Sequence, residues 1–195
     1  MPQRGLLVRC LLCGVFVVLL GAGPRDLAEY PEADAVAKKI IEDTQTLLLR
    51  EVPDKGPAAA LTQCSAVTVS LAQHYEPQGW RVSRTSLKPR RSADAPDIHQ
   101  RKILTDFATL KEKGRFQPDV PNVYLDVEDG KRTLRYLRPI LITDYVCLQC
   151  HGRTEDLLPA VRERLQQLYP HDRATGYQLN DLCGAVSIDI PLPEE

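Results

Sequence analysis

Apolar side chains recur at helical spacing in the first third of the chain. Between residues 35 and 50 they return every three to four positions, with acidic and basic side chains between them, which predicts an amphipathic helix. Pro53 and Gly56 are expected to end this helix. Pro57 is placed to begin a second helix that reaches Tyr75, because proline costs no hydrogen bond in the first turn.

The rest of the chain alternates between strand and helix signals. Asp129-Gly130 is a favoured hairpin turn, and Ile103, Phe107 and Leu110 are expected to face inward from a helix that starts at position 97. We predict strands at 80–87, 122–127, 133–142 and 185–190, and further helices at 97–113 and 154–168. Helices come first and the later strands follow one another, which predicts an α+β fold with N-terminal helices and a mostly antiparallel sheet.

The first residues have the layout of a secretory signal. Arg4 and Arg9 precede an apolar run at 11–20, and three small residues follow at 21–23. The run is shorter than the roughly 20 apolar residues of a membrane span. We therefore predict a signal peptide at 1–23 in an exported, for example periplasmic, protein. An uncleaved membrane anchor at 5–22 is the alternative. The predicted domain, with its N-terminal helical extension, occupies residues 30–195.

Charge and cysteine content narrow the class of protein. The 195-residue chain has a formal net charge of −1 and no basic excess, so nothing in it calls for a nucleic-acid partner. Cys10 and Cys13 would leave with the leader, and the mature chain would keep four cysteines, at positions 64, 147, 150 and 183. Two disulfides are the default expectation for four thiols outside the cytosol.

The local spacing of two cysteines favours another interpretation. Residues 147 to 151 read Cys-Leu-Gln-Cys-His, the pattern of c-type haem attachment. Two thiols one short turn apart can each form a thioether with one haem vinyl group, and the next residue then lies under the iron. We predict one covalent haem on Cys147 and Cys150, with His151 as an iron ligand.

Three rival interpretations use the same cysteine pair. A thioredoxin-like redox pair also uses C-x-x-C, but it needs no histidine, and its βαβ context is missing. A zinc site could combine Cys147, Cys150 and His151 with Cys64. Adjacent Cys150 and His151 would make an awkward tetrahedral pair, and no second C-x-x-C is present. A plain disulfide is the third alternative.

The second iron ligand is harder to identify from residue pattern. His74, His99 and His171 stand in polar stretches or near helix ends, which is typical of surface residues. The sequence has one methionine, at position 1, so methionine ligation is excluded. Cys64 shares a predicted apolar helix face with Leu61, Thr68 and Leu71, where a cysteine can pack as a small hydrophobe or bind iron. Cys183 could pack, pair with Cys64 or bind iron.

The chain resembles a family of PAS-like haem c domains found in bacteria and cyanobacteria. The resemblance covers nearly all of the predicted mature chain and includes the following residues: Pro57 to Leu61 with Cys64, Arg84 to Lys88 with Arg90, Ala95 to Asp97, Phe107, Arg138 to Ile140, Cys147 to Gly152, Tyr169, Pro170, Asp172, Ala174, Gly176, Tyr177, Gly184 and Ala185. It implies a PAS-like sheet. It also implies axial ligation by the C-x-x-C-H histidine and by a cysteine on the early helix, here His151 and Cys64.

Some positions depart from the pattern of that family. Arg91-Ser92 stands where an Asn-Pro step is usual, and His99-Gln100 stands where an aromatic residue and an acid are usual. Cys183 replaces an expected basic residue, which makes it a candidate for thiol chemistry peculiar to this chain. The haem attachment residues are unaffected.

The predicted ligands and nearby cations have chemical consequences. A thiolate from Cys64 would favour Fe(III) and lower the haem potential relative to His/Met ligation. On reduction the thiolate could protonate and leave, opening a site for CO or NO. Arg84 and Lys88 belong to a basic stretch without acids, and we predict that they pair with the haem propionates. A solvated strand edge and loop is the alternative.

These features predict a binding protein rather than an enzyme. We expect electron transfer or redox sensing with a redox partner protein that the sequence does not identify. A haem-based gas sensor is the alternative, and it would also need a partner because no output segment is present. A peroxidase lacks an evident distal His/Arg pair, and a thiol oxidoreductase or zinc protein would use the same cysteine pair. A homodimer is left open, and membrane association depends on an uncleaved leader.

Overall fold

A computed structural model describes residues 30–193 of the chain, without the side chains of Tyr30, Cys64 and Ser65. The predicted signal or anchor segment lies outside these residues. The helices are α1 (Tyr30–Lys55), α2 (Pro57–Ala60), α3 (Gln63–Tyr75), α4 (Ile98–Glu112), α5 (Tyr145–His151) and α6 (Pro159–Leu168). The strands are β1 (Arg81–Thr85), β2 (Asn122–Glu128), β3 (Lys131–Leu141) and β4 (Leu182–Pro191).

The four strands form one antiparallel sheet in the order β1-β4-β3-β2. The last strand in sequence is therefore central, and it pairs with β1 on one side and β3 on the other. Arg84 is opposite Val186, and Tyr136 is opposite Ile188. Residues 184–190 of β4 are all buried, as expected for a strand with neighbours on both edges and helices on both faces.

Helices cover both faces of the sheet. α1 and α3 pack on one face around Ile40, Trp80, Tyr136 and Ile188. α4 packs on the other face through a smaller cluster that includes Leu104 and other apolar side chains. Asp97 caps α4, because its side chain accepts from the Gln100 backbone while the Gln100 side chain accepts from the Asp97 backbone. The predicted α+β class is confirmed.

Several predicted boundaries were wrong for local reasons. α1 continues through Pro53 to Lys55, because that proline falls in the last turn, where one missing hydrogen bond does not end the helix. The helix expected from Pro57 to Tyr75 is divided into α2 and α3 by a turn at positions 61–62. The helix expected from position 154 begins at Pro159, after a short 3-10 turn.

One predicted inward side chain is also wrong. Ile103 and Phe107 of α4 are buried as expected, whereas Leu110 is 37% exposed. The buried stripe of α4 runs through Gln100, Ile103, Leu104 and Phe107 and ends there. The last turn of the helix is therefore only partly covered, and Leu110 lies beyond the buried stripe.

Candidate functional site

The Cys-Leu-Gln-Cys-His segment forms a short helix of its own. The side chain of Asp144 caps α5 by accepting a hydrogen bond from the Val146 backbone N–H at 2.7 Å. The Gly152 N–H donates to the Leu148 carbonyl at 2.8 Å and closes the last turn. α5 therefore holds the two cysteines and His151 on successive turns of one rigid element.

The two cysteines pack against different parts of the protein. Cys147 contacts the cluster around Ile142, Ala174 and Tyr177. Cys150 packs against the cluster that joins the α2 region to α6, and its Sγ lies 3.9 Å from the Pro57 carbonyl oxygen. Both nevertheless line a common cavity, as two thiols must if they are to bond to one ligand.

This shared cavity is mainly apolar. One wall is formed by α1, and the opposite wall by the end of β3, by α5 and by Cys183. Its apolar and polar lining from α1 comprises Ile40, Ile41, Thr44, Gln45, Leu48 and Val52, and its other apolar lining includes Ile140, Leu141, Ile142 and Val146. A mainly apolar lining with a few polar groups is typical of a site for a mostly apolar small ligand.

His151 has a fixed orientation beside this cavity. Its Nδ1 lies 2.7 Å from the Ala174 carbonyl oxygen. A carbonyl can only accept, so Nδ1 carries the proton, and the lone pair of Nε2 remains available to a metal. The ring keeps some accessible surface because it lines the cavities, but protein atoms surround it. This burial and the positive charge of Arg90 lower the pKa of His151 to about 3, so the imidazole is neutral.

A second cavity, here called the basic cavity, adjoins the first. The two cavities share Arg84, Ile140, His151 and Cys183 in their linings. Four cations line the basic cavity, at positions 84, 88, 90 and 91, with Asp94 as the acid among its lining residues. An apolar space bordered by a cationic one suits a ligand with an apolar body and anionic groups.

The four cations differ in what already binds them. Lys88 Nζ donates to the Thr175 carbonyl and lies 4.1 Å from the centroid of the Tyr177 ring. Arg91 pairs with Asp94 at 2.6 Å. The guanidinium of Arg84 makes no hydrogen bond or ion pair with any side chain or backbone group that the structure describes, and it lies where the two cavities meet. Of the two predicted propionate partners, Arg84 is therefore the one with unused donors.

Arg90 is engaged by backbone groups of the site itself. Its Nη2 donates to the Cys150 carbonyl at 2.6 Å and to the Ala174 carbonyl at 3.3 Å, and its Nε donates to Asp172 at 3.0 Å. The sequence placed Arg90 in a basic stretch but gave no sign of its partners. Ala174 was missed as the partner of His151 because a backbone carbonyl has no residue-type signal.

Cys183 is a packed thiol. Its Sγ donates to the Ile140 carbonyl at 3.4 Å, and burial raises its pKa to about 11. A neutral thiol is a poor nucleophile, so the thiol chemistry suggested for this position is disfavoured in the described conformation. Cys183 therefore contributes to the walls of both cavities as a packed, neutral side chain.

The other candidate metal ligands from the sequence are Cys64 and three histidines. Cys64 lies in the first turn of α3, but its side chain lies outside the described part, so its ligand role stays a prediction. His74, His99 and His171 are exposed, as expected. Among described side chains, no group of three or more His, Cys, Asp or Glu could hold a metal ion.

Two further observations bear on the alternatives. The sheet is antiparallel throughout the described strands, so these strands contain no parallel βαβ unit of the thioredoxin type. Within residues 30–193, no helix has the length and apolar character to cross a bilayer.

Comparisons with known proteins agree with the predicted family. A family model described as Tll0287-like (Tll0287) matches residues 28–191. Among solved structures, the crystal structure of the cyanobacterial heme-protein Tll0287 matches with a TM-score of 0.61 and 23% sequence identity, covering 89% of this chain and 99% of that chain. No curated protein matches the sequence. The structural likeness shows a shared fold.

Proposed function

The chain belongs to the Tll0287-like family, and we propose that it is an exported protein that carries one covalently attached c-type haem. The structural relative is described as a heme-protein. The observation that carries the proposal is the convergence of Cys147, Cys150 and His151 on one apolar cavity. The sequence motif, the family and the cavity thus support the same cofactor.

The residues around the two cavities fit a haem. The apolar cavity offers aliphatic side chains to a porphyrin ring. In the basic cavity, Arg84 and Lys88 offer positive charge to the two carboxylates that a haem carries. His151 offers an unprotonated Nε2, because its Nδ1 is bound to Ala174.

Each residue then has a distinct role. Cys147 and Cys150 would hold the cofactor through thioethers, and His151 would bind the iron on one side. Cys64 is the proposed ligand on the other side, as its family position implies. Arg84, with its unused donors, is the better propionate partner. Lys88 would share its ammonium between Thr175 and a carboxylate.

The proposed activity is electron transfer or redox sensing. A bound haem iron supplies one-electron chemistry. A Cys64 thiolate would favour Fe(III), so we expect a low reduction potential. The neutral His151 and the aliphatic lining support a dry site in which the iron charge is poorly screened. Sensing of CO or NO is the alternative, which requires that Cys64 leave the iron on reduction.

Pigment retention by the full chain, made in a host that matures cytochromes c, tests this proposal. After precipitation in acid and organic solvent, the haem of wild type should stay with the protein. It should be lost from the Cys147→Ala/Cys150→Ala double variant. Cys183→Ala is the matched cysteine control and should keep covalent haem. Cys64→Ala should keep covalent haem but change the ferric absorption spectrum.

The same samples distinguish the possible outcomes. Wild-type protein without pigment, or with pigment that washes out, would contradict covalent attachment. A Cys64→Ala spectrum identical to wild type in both redox states would remove Cys64 as a ligand and leave the attachment standing. Binding of CO by the reduced wild type would favour gas sensing over simple electron transfer.

A further inference from the structure

Arg90 is largely buried, and it fixes three groups of the site at once. Its side chain is 13% exposed and its partner Asp172 is 10% exposed. The guanidinium binds the Cys150 carbonyl in the attachment helix and, 24 positions later in the chain, the Ala174 carbonyl. Arg90 therefore ties α5 to the segment that follows Pro170.

The backbone of Ala174 is hydrogen-bonded through both its N–H and its carbonyl. Its N–H donates to Asp172 Oδ1 at 2.7 Å, while Asp172 Oδ2 accepts from Arg90 Nε at 3.0 Å. Its carbonyl accepts from His151 Nδ1 at 2.7 Å and from Arg90 Nη2 at 3.3 Å. The position of this carbonyl, and with it the direction of the imidazole ring, depends on the Arg90–Asp172 pair.

We propose that Arg90 is a positioning residue for the axial histidine, which it orients through the Ala174 carbonyl. The proposal rests on the proposed function, since it concerns the histidine that would bind the haem iron. Arg90 acts on His151 without touching the iron. Two of its donor nitrogens are already bound within the protein, which distinguishes it from Arg84.

The proposed role has two electronic consequences with the same sign. The guanidinium competes with His151 for the Ala174 carbonyl, so it limits how strongly that carbonyl increases the basicity of the imidazole. Its positive charge also disfavours Fe(III) relative to Fe(II). Both effects raise the reduction potential, so removal of Arg90 should lower it.

The test compares Arg90→Gln and Arg90→Lys with Arg91→Gln in full-length, haem-loaded protein. Arg91 lines the same cavity but pairs with Asp94 rather than with the site backbone. At the wild-type midpoint potential, Arg90→Gln should show at least a tenfold higher ratio of ferric to ferrous protein, equivalent to about 59 mV for one electron. Arg91→Gln should shift this ratio much less.

A second readout separates positioning from charge. Electron paramagnetic resonance of the ferric protein should show one low-spin species in wild type and in Arg91→Gln. Arg90→Gln and Arg90→Lys should both show additional species, because the ring of His151 loses its fixed orientation even where the charge is kept. A purely structural brace would alter stability and leave both readouts unchanged.

The outcomes separate this inference from the proposed function. Arg90 variants with covalent haem, a wild-type potential and one ferric species would overturn the positioning role and leave haem attachment intact. Wild-type protein without covalent haem would overturn both. Should neither Arg90 variant retain pigment, Asp172→Asn decides with the same spectra, because it loosens the Arg90–Asp172 pair and keeps the Arg90 charge.

Discussion

At the scale of single residues, Gly184 beside the site has the closest backbone neighbour of the described glycines. Gly184 has a φ of +158°, and a Cβ there would lie 2.4 Å from the Thr85 carbonyl oxygen. Because the obstacle is backbone, no rotamer change relieves it. We expect Gly184→Ala to lower the free energy of unfolding by about 3 kcal/mol, the upper end of overpacking costs, as measured by urea denaturation.

Gly56 provides the matched control for that substitution. It also has a positive φ, +80°, but no atom lies within 4 Å of a Cβ built there. Gly56 has φ 80° and ψ 159°, a backbone conformation that side chains rarely adopt, so Gly56→Ala should cost about 1–2 kcal/mol from backbone strain alone. If Gly184→Ala cost no more than Gly56→Ala, then β1 and β4 would separate more easily than the structure indicates.

The sequence was most informative where chemistry is local. Cys147, Cys150 and His151 could be identified because five consecutive residues encode the attachment geometry. The partner of His151 could not, because the Ala174 carbonyl is 23 positions away and carries no side-chain signal. The hydrogen bond from Lys88 to the Thr175 carbonyl could not be predicted for the same reason.

At the scale of elements, a polar contact joins α1 to the sheet. Asp34 Oδ1 accepts from the Tyr136 hydroxyl at 2.7 Å and from Arg138 Nη1 at 2.8 Å. Burial raises the pKa of Asp34, but hydrogen bonds from Lys38 and Tyr136 and the charge of Arg138 bring it below its ordinary value of 3.8. A lowered carboxyl pKa stabilises the fold at neutral pH, and this contribution is lost as the pH falls through the folded-state pKa.

Asp34→Asn should therefore have a pH-dependent effect. At neutral pH we expect a loss of about 2 kcal/mol in the free energy of unfolding, typical of hydrogen bonds to charged groups. Below about pH 4 the difference from wild type should shrink, because a protonated carboxyl resembles the amide. Asp43→Asn, which alters an exposed pair with Lys39 on the same helix, should change little. A difference that stays constant with pH would contradict the assignment.

The elements themselves were predictable to different degrees. The Asp129-Gly130 hairpin was predicted correctly, because both residues take the positive φ that this turn needs, 51° and 76°. α5 was not predicted as a helix, because seven residues are too few to show periodicity. The central position of β4 in the sheet could not be predicted from the sequence either, since strand order depends on contacts between distant parts of the chain.

At the scale of the whole molecule, the apolar cavity lies between part of α1 and the C-terminal half of the site. Ile40, Leu48 and Val52 of α1 border the cavity, opposite Cys147 and Cys150 of α5. These three side chains of α1 are already buried within the protein, whereas Ile41 in the same wall is half-buried, so an attached haem would complete the packing of this wall. Fully burying one such side chain is worth about 1.5–3 kcal/mol, which is an upper limit for each added contact, so attachment should stabilise α1 more than the strands.

Amide hydrogen exchange can measure this difference segment by segment. In the haem-free Cys147→Ala/Cys150→Ala variant, residues 40–52 should exchange at least ten times faster than in haem-loaded wild type, which corresponds to about 1.4 kcal/mol. β4 should accelerate by a smaller factor, because its amides bond to β1 and β3 and open with the whole sheet. Equal acceleration of α1 and β4 would mean that the domain opens as one unit. The cofactor would then stabilise the fold globally rather than by supporting the wall of its cavity.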